Sequence, residues 1–379
     1  MEKLRIAITV NVIATYREGF YDALLSRDDI YVKIYCQSHV PGMNFKTIHH
    51  KYPNNVKLIK FWSADADKIA WQFLPWREII NNYDVIFISG NPRILSDAIF
   101  GTFLRAIGKR VVLWTMAHTY GANPITEKIR LLWSRFFKYL FVYTDSEVTY
   151  LQRKGFKNRT IVGMNNGLDQ KKIDLASAVW TNQKLEHWRK ENSLEDSTMI
   201  LSCARLDQKN KFDQVLRALK KIVIAIPNIK WCLIGDGIER EKLQLLSKEL
   251  NVEDHVFFVG GLYNEKELAP WFLSSKLLVH PAAIGLSIMH SFGYGLPLVT
   301  HEKTELHGPE YAAFELGLTG ANFEIDNIED LAKVISNLVQ DDETLKKMGD
   351  FTLQIARNKY NVDVMAERFV QMAKLAASK

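Results

Sequence analysis

Arg205, Lys209 and Lys211 follow the apolar run "MILSC" and precede an amphipathic stretch that opens near Phe212. Cations just past a strand and at the start of a helix suit a diphosphate, because guanidinium, ammonium and backbone N–H groups all act on one anion. Read alone, the same residues also fit a solvated basic loop. Three further apolar runs end in small residues: Gly235-Asp236-Gly237, Gly261-Leu262, and Ala282 through Gly285, Leu286 and Ser287. Such turns let a nucleotide approach backbone, although a lone Gly-Asp-Gly is also an ordinary strand-to-helix turn. His290 follows within the next amphipathic stretch. In the first half, Tyr16, Arg17 and Gly19 open a helix-like stretch after the first strand, and His118 follows the strand "VVLWTM".

The elements that hold these residues alternate along the whole chain. Short apolar runs at 4–10, 30–36, 56–61, 84–90, 110–116, 139–144 and 160–164 are separated by helix-period stretches, and the pattern resumes at 199–205, 230–237, 255–261, 276–282 and 297–302. That alternation predicts α/β architecture with parallel sheets. The length of 379 residues favours two domains. The expected division is 1–175 and 176–361, two Rossmann-like doubly wound domains facing across a cleft. The polar stretch 165–198 is read as the connection. The stretch 362–379 has apolar residues at helical spacing and is expected to pack back on the first domain. Doubly wound sheets bind ligands beyond the carboxyl ends of their strands, where the residues above fall.

Composition narrows the function classes. The chain is 47% hydrophobic and 24% charged with a formal charge of +6, which suits anionic small ligands or an anionic membrane face and gives little support to nucleic acid. Three scattered cysteines read as buried reduced thiols. No apolar run reaches the roughly 18 residues of a spanning helix, and "MEKLRIAITV" reads as a first strand, so a cytoplasmic protein is expected. No GxGxxG follows the first strand, and no GxSxG or Walker A sequence occurs. No metal site is expected: Asp145-Ser146-Glu147 looks like a DxD pair but falls in a stretch read as a structural turn, and His49-His50 and His301 with His307 lack a third ligand at usable spacing. The stretch 127–141 sets Lys128, Arg130, Arg135 and Lys138 among Trp133, Phe136 and Phe137. It suits either a membrane-surface helix or a helix packed on the first sheet.

In order and spacing, "ARLDQKNK", "GDGIEREKL", "FVGGLYNEKELAPWFLSSKLLVHP" and "AAIGLSIMHSFGYGLPLVT" resemble the second domain of the retaining, GT-B-fold glycosyltransferases of family 4. "NVIATYREGFYDALL", "LWTMAHTYG", "TDSEVTYLQRKGF" and "MNNGLDQKKID" resemble its first-domain segments more faintly. The resemblance implies transfer of a sugar from a UDP- or GDP-linked nucleotide-diphospho-sugar, with no further cofactor. The acceptor would be a hydroxyl of a saccharide or lipid-linked saccharide, in the assembly of O-antigen, capsule or exopolysaccharide at the cytoplasmic face of the inner membrane. Arg205 matches the arginine that stabilises the departing diphosphate, and His118 the histidine between donor and acceptor. The family lysine would fall on Asn210. A one-residue deletion puts Lys209 there and Asn210 in the small-residue position after it, with Lys211 the other choice. Lys211, Gly235, Asp236, Gly237, Gly261, Leu262, Gly285, Leu286 and Ser287 fall on the donor side, and Tyr16, Arg17 and Gly19 on the acceptor side.

The family's two glutamates fall on Ala282 and His290. His290 can offer a ring nitrogen to the ribose, and the chain is similar to a bacterial sub-group with histidine at this place. Ala282 cannot replace the sugar-binding acid, which leaves Glu302, Glu305 and Glu310 as candidates. The missing carboxylates also motivate a second reading, a catalytically silent nucleotide-sugar-binding partner of another transferase.

Overall fold

The computed structural model describes residues 2–39, 47–64, 69–91, 93–117 and 124–378. The chain divides into two compact units, Met1–Leu168 with Val362–Lys379, and Asp169–Asn361.

In the first unit, strands β1 (Leu4–Thr9), β2 (Ile30–Cys36) and β3 (Val56–Leu58) precede a hairpin of β4 (Phe61–Ala64) and β5 (Ile69–Gln72). Strands β6 (Val85–Ser89), β7 (Val111–Trp114), β8 (Tyr139–Val142) and β9 (Thr160–Gly163) follow. Helices α1 (Glu18–Leu25), α2 (Trp76–Asn82), α3 (Leu95–Ala106), α4 (Pro124–Ser134) and α5 (Asp145–Arg153) lie between them. The sheet order is β3-β2-β1-β6-β7-β8-β9, with neighbours parallel throughout. Its central strands are apolar without alternation because both faces are covered, as parallel sheets require: Ile6, Ile8 and Phe87 face one core, and Ala7, Ile86 and Ile88 the other.

The second unit opens with α6 (Gln170–Ala178) and α7 (Asn182–Glu191). Its strands are β10 (Thr198–Cys203), β11 (Ile229–Ile234), β12 (Val256–Gly260), β13 (Leu277–His280), β14 (Leu298–His301) and β15 (Gly320–Phe323). Its remaining helices are α8 (Phe212–Ala225), α9 (Arg240–Glu249), α10 (Glu265–Ser274), α11 (Ser287–Gly293), α12 (Ile328–Val339) and α13 (Asp342–Asn358). The sheet order is β12-β11-β10-β13-β14-β15, again parallel.

The polar stretch 165–198 is no plain connection. Ile173 and Ala176 of α6 are buried, Gln170 Nε2 donates to the Gly293 carbonyl at 2.8 Å, and Trp188 of α7 packs edge-on against Trp271. Its polarity is that of two outward helix faces, and the second unit begins at Asp169.

The last helix, α14 (Val362–Ala377), belongs to the first unit. Met365, Phe369, Met372, Ala373 and Ala376 form its buried stripe, the spacing of a core-facing helix. Phe369 stacks on Phe87 at 4.0 Å and meets Phe20 and Phe141 edge-on. Arg368 adds hydrogen bonds to Asp145 Oδ1 at 2.6 Å and the Gly163 carbonyl at 2.7 Å.

Candidate functional site

In the second sheet the strand order turns at β10: the chain steps to β11 on one side and returns to β13 on the other. Such a switch point leaves a crevice beyond the carboxyl ends of the two central strands. Here those ends are Cys203 and His280. Ser287 joins them, its hydroxyl donating to the Cys203 carbonyl at 2.8 Å.

Arg205 and Lys209 stand at the β10 end with side chains 68% and 75% exposed, flanking Asp207 at 4.0 and 3.7 Å. Exposed pairs at such distances hold little energy, so both cations remain available to an anion. Asn210 is buried and its amide donates to the Arg205 carbonyl at 2.6 Å, which ties the basic loop shut. Lys211 differs from its neighbours. Its φ is +51°, and its Nζ donates to Asp326 Oδ1 at 2.6 Å, with Gln214 on the same oxygen. A left-handed backbone is where a glycine would stand. Lys211 thus holds a backbone conformation that suits a small residue, directly after the buried Asn210. Lys209 supplies a cation from one residue earlier, while Lys211 is committed to Asp326.

The Gly-Asp-Gly turn packs closely on the loop after β10. Gly235 and Gly237 have φ of +148° and +159°, and a Cβ on either would lie 1.9 Å from the Ala204 carbonyl oxygen or 2.4 Å from that of Leu206. Both glycines let the loop after β11 zip onto the loop after β10, through Leu206 N–H to the Asp236 carbonyl and Glu239 N–H to that of Leu206. On their Cβ sides both glycines meet the backbone of Ala204 and Leu206, the residues on either side of Arg205. Asp236 and Gly261 are exposed and Leu262 half-buried. Gly285 does have room: no atom lies within 4 Å of where its Cβ would be.

The turn 282–287 hangs on a stack of rings. His301, His307 and Tyr311 lie nearly parallel with centroids 4.0 Å apart, and Phe314 extends the stack. His307 Nδ1 accepts the Ile284 N–H at 3.2 Å, Gly308 N–H returns to the Ile284 carbonyl at 2.9 Å, and His307 Nε2 meets the His301 carbonyl at 3.0 Å. Ala282 is buried, its carbonyl accepting from His280 Nδ1 at 3.1 Å. Burial pushes His280 and His301 down to about 4 and lowers His307 as well. The stack is therefore a neutral scaffold.

Of the three acids considered in place of Ala282, two point elsewhere. Glu302 accepts the Ile325 N–H and pairs with Lys303, and Glu305 is exposed. Glu310 is buried, with Oε2 3.0 Å from the position of a Cβ on Gly308, whose own Cβ direction also meets Ile284 and Gly285. Its carboxylate therefore lies against the open turn.

His290 sits in a constellation that spacing does not reveal. Its Nε2 donates to Glu265 Oε1 at 2.8 Å, Tyr294 OH donates to Glu265 Oε2 at 2.8 Å, and Phe272 stacks on Tyr294. Glu265 is the first residue of α10, placed by Asn264, whose side chain caps the helix at Lys266 N–H. Burial pushes the Glu265 carboxyl up, but the hydrogen bond and charge of His290 outweigh it and hold the group below its ordinary value. An acid is thus present beside His290, on another helix.

In the first unit, Tyr16 is exposed, whereas Arg17 is buried, donating to Asn166 Oδ1 at 2.7 Å and lying over Tyr143. Gly19 is buried in the first turn of α1. Asp145 is held by Arg368 and Asn165, and Glu147 accepts the Ala117 and Tyr143 N–H groups, so this acidic pair is a helix-start lock. His118 lies outside the described residues. The carboxyl ends of β1, β2 and β5 carry groups missed by sequence reasoning: Asn11 Oδ1, the whole Gln37 amide and Gln72 Oε1 are buried without hydrogen-bond partners among the described residues. Gln37 N–H bonds the Asn11 carbonyl and Gln72 Nε2 that of Val10, so the three cluster. Among the described residues, no group of three or more His, Cys, Asp or Glu side chains could hold a metal ion.

Comparison with known proteins bears on this arrangement. Residues 184–354 match the family model described as Glycosyl transferases group 1. An uncharacterized glycosyltransferase of Methanocaldococcus jannaschii is 26% identical over 316 residues, 76% of this chain and 70% of that protein. A lipopolysaccharide core biosynthesis glycosyltransferase of Rhizobium meliloti is 22% identical over 180 residues, 47% of this chain and half of that protein. The Anabaena protein HepE in complex with UDP has the same fold, with a TM-score of 0.72 at 15% identity, covering 99% of this chain and all of that one. The architecture is GT-B, two Rossmann-like α/β units, and the match to the glycosyl transferases group 1 model lies within the second unit.

Proposed function

We propose that the chain transfers a sugar, with retention and without a metal, from a UDP- or GDP-linked diphospho-sugar to a hydroxyl of a saccharide or lipid-linked saccharide in bacterial surface polysaccharide assembly. The observation that carries this reading is the pair of exposed cations, Arg205 and Lys209, at the switch point of the second sheet beside the open turn at Gly285. As the bond from the anomeric carbon to the diphosphate oxygen breaks, negative charge grows on the diphosphate. Arg205 and Lys209 stabilise it more than they stabilise the intact donor. The backbone of Gly285, Leu286 and Ser287 borders the diphosphate, and Gly261 and Leu262 border the base. A departing diphosphate oxygen takes the proton of the attacking hydroxyl, so the reaction balances without a protein nucleophile. Glu310 replaces the sugar-binding acid absent at Ala282, and Glu265, aimed by His290, serves the ribose diol.

The acceptor side belongs to the first unit. Tyr16 and the amides of Asn11, Gln37 and Gln72 are the hydroxyl-binding groups there, with His118 acting between donor and acceptor. Arg17 and Gly19 support that side from beneath through α1. The UDP complex of the Anabaena neighbour supports a nucleotide-sugar partner, and the Rhizobium relative supports a surface-glycan setting.

Calorimetry with UDP, GDP and the corresponding monophosphates tests the donor site. The wild type prefers a diphosphate over its monophosphate by at least about tenfold, and Arg205→Ala loses most of that preference. A wild type that binds neither UDP nor GDP overturns the reading.

A further inference from the structure

The first sheet also turns at one strand: from β1 the chain steps outward to β2 and β3, then returns to β6 on the other side of β1. A switch point in an open α/β sheet leaves room for a ligand beyond the strand ends, here beyond Thr9. One hydrogen-bonded network occupies that edge. Thr9 Oγ1 donates to Asp97 Oδ2 at 3.1 Å, and Ser96 Oγ to Asp97 Oδ1 at 3.4 Å. Ser96 Oγ accepts the Gln72 N–H at 2.8 Å, and Gln72 Nε2 donates to the Val10 carbonyl at 3.0 Å. Gln37 N–H donates to the Asn11 carbonyl at 2.9 Å. These bonds draw β1, β2, β5 and the start of α3 together at one place.

The network is satisfied at its base and incomplete at its rim. Thr9, Ser96 and Asp97 are fully buried and bonded to one another. Gln37 and Gln72 are only 4% and 1% exposed, yet both atoms of the Gln37 amide, Gln72 Oε1 and Asn11 Oδ1 have no partner among the described residues. Buried polar atoms left unpaired are costly and rare in native proteins, so four on three neighbouring side chains call for a bound group that completes them. Three are oxygens that need a donor, and one is an amide nitrogen that needs an acceptor. An ionised carboxylate only accepts, and would meet the amide oxygens lone pair against lone pair. Neighbouring hydroxyls of a sugar both donate and accept. The charge beneath agrees: burial pushes the Asp97 carboxyl up to about 7, so above that pH it sets a negative charge under the amides.

We propose that the amides of Asn11, Gln37 and Gln72 select an acceptor whose terminal sugar is uncharged, and that uronic acids are rejected there. Asp97 is a positioning residue: through Ser96 it fixes Gln72, and its charge disfavours an anion at the rim. The inference deepens the sugar-transfer reading and rests on it for the role of the bound sugar as acceptor. The preference itself requires no donor.

Saturation-transfer NMR of the whole chain tests it, at about pH 8 and without nucleotide. The probes are methyl glucoside, galactoside and mannoside, and the methyl glycosides of the corresponding uronic acids. At least one neutral glycoside binds, and its uronic counterpart binds at least about tenfold more weakly. Gln37→Leu weakens the neutral glycoside about tenfold and does not lower the melting temperature of the free protein, since its amide has no partner to lose. Asp97→Asn narrows the preference over the uronate, a change in selectivity that a merely structural role would not make. Gln340→Leu, the same kind of change at an exposed site of the second unit, alters neither. Circular dichroism melts report whether each variant is folded. No neutral glycoside bound, or uronates bound equally well, overturns the proposal. So does a lower melting temperature in Gln37→Leu with unchanged sugar binding, which would mean that buried water alone completes the amide. An unchanged preference in folded Asp97→Asn overturns the part given to that acid. UDP bound with no glycoside bound overturns this inference alone, whereas glycoside bound with neither UDP nor GDP overturns the sugar-transfer reading and the acceptor role with it.

Discussion

At the scale of single residues, the departures from the expected pattern are informative. A cation is expected next to Arg205, with Lys209 preferred and Lys211 the other choice, and the two differ in the structure. Lys211 occupies a left-handed position and is bound to Asp326, whereas Lys209 is exposed. The residue type at 211 concealed this, because the φ that favours glycine is carried here by a lysine. His290 was legible only as a substitution. Its partner Glu265 is distant in sequence and belongs to a different helix, so no local spacing could have joined them. A test follows from this pair. Glu265→Gln keeps the shape and loses the charge, so UDP binds about tenfold more weakly and 2′-deoxy-UDP is no longer disfavoured. Titration of both nucleotides against the wild type and variant checks it. Unchanged discrimination in a folded variant contradicts the ribose assignment.

At the scale of elements, the first-half strands and most of the second were readable because parallel strands buried on both faces are continuous apolar runs. The exceptions have physical causes. Strand β15, "GANF", is an edge strand of four residues with only Phe323 as a large buried group, and Gly320 must be glycine because a Cβ would meet the Leu298 carbonyl at 1.8 Å. The β4–β5 hairpin is antiparallel and too short to show alternation. Helices α6 and α7 are polar on their outer faces and so resembled a linker. The ring stack behind the open turn makes an element-level prediction. His280 and His301 have folded values near 4, below the ordinary value of 6.5. The unfolded chain therefore binds more protons between those limits, and stability falls as pH drops from about 6.5 toward 4. The loss from His280 alone is on the order of 3 kcal/mol. Protonating His307, whose burial holds it below its ordinary value, also removes the acceptor for the Ile284 N–H, so UDP affinity falls on acidification. Thermal melts and UDP titrations across pH 4 to 7 check both; a flat stability profile contradicts the neutral scaffold.

At the scale of the molecule, the chain leaves the first unit at Leu168 and returns to it at Val362, so the first fold is closed by its last residues. Phe369 is wholly buried among Phe20, Phe87 and Phe141. Phe369→Ala destabilises the first unit by about 3–5 kcal/mol and leaves the second unit's core intact. Hydrogen exchange resolved by peptide should show faster opening in 2–39 and 85–114 with little change in 198–234; uniform loss across both units would show that they unfold together. Sugar transfer assisted by Arg205 and Lys209 is tested by following turnover. The purified chain is incubated with a panel of UDP- and GDP-sugars and with free or lipid-linked saccharide acceptors, while nucleotide diphosphate release is followed. Release is expected to depend on acceptor with at least one donor, and to fall about 10²- to 10³-fold in Arg205→Ala without loss of fold. Binding of nucleotide sugars with no turnover on any donor–acceptor pair, or full turnover in Arg205→Ala, would contradict it.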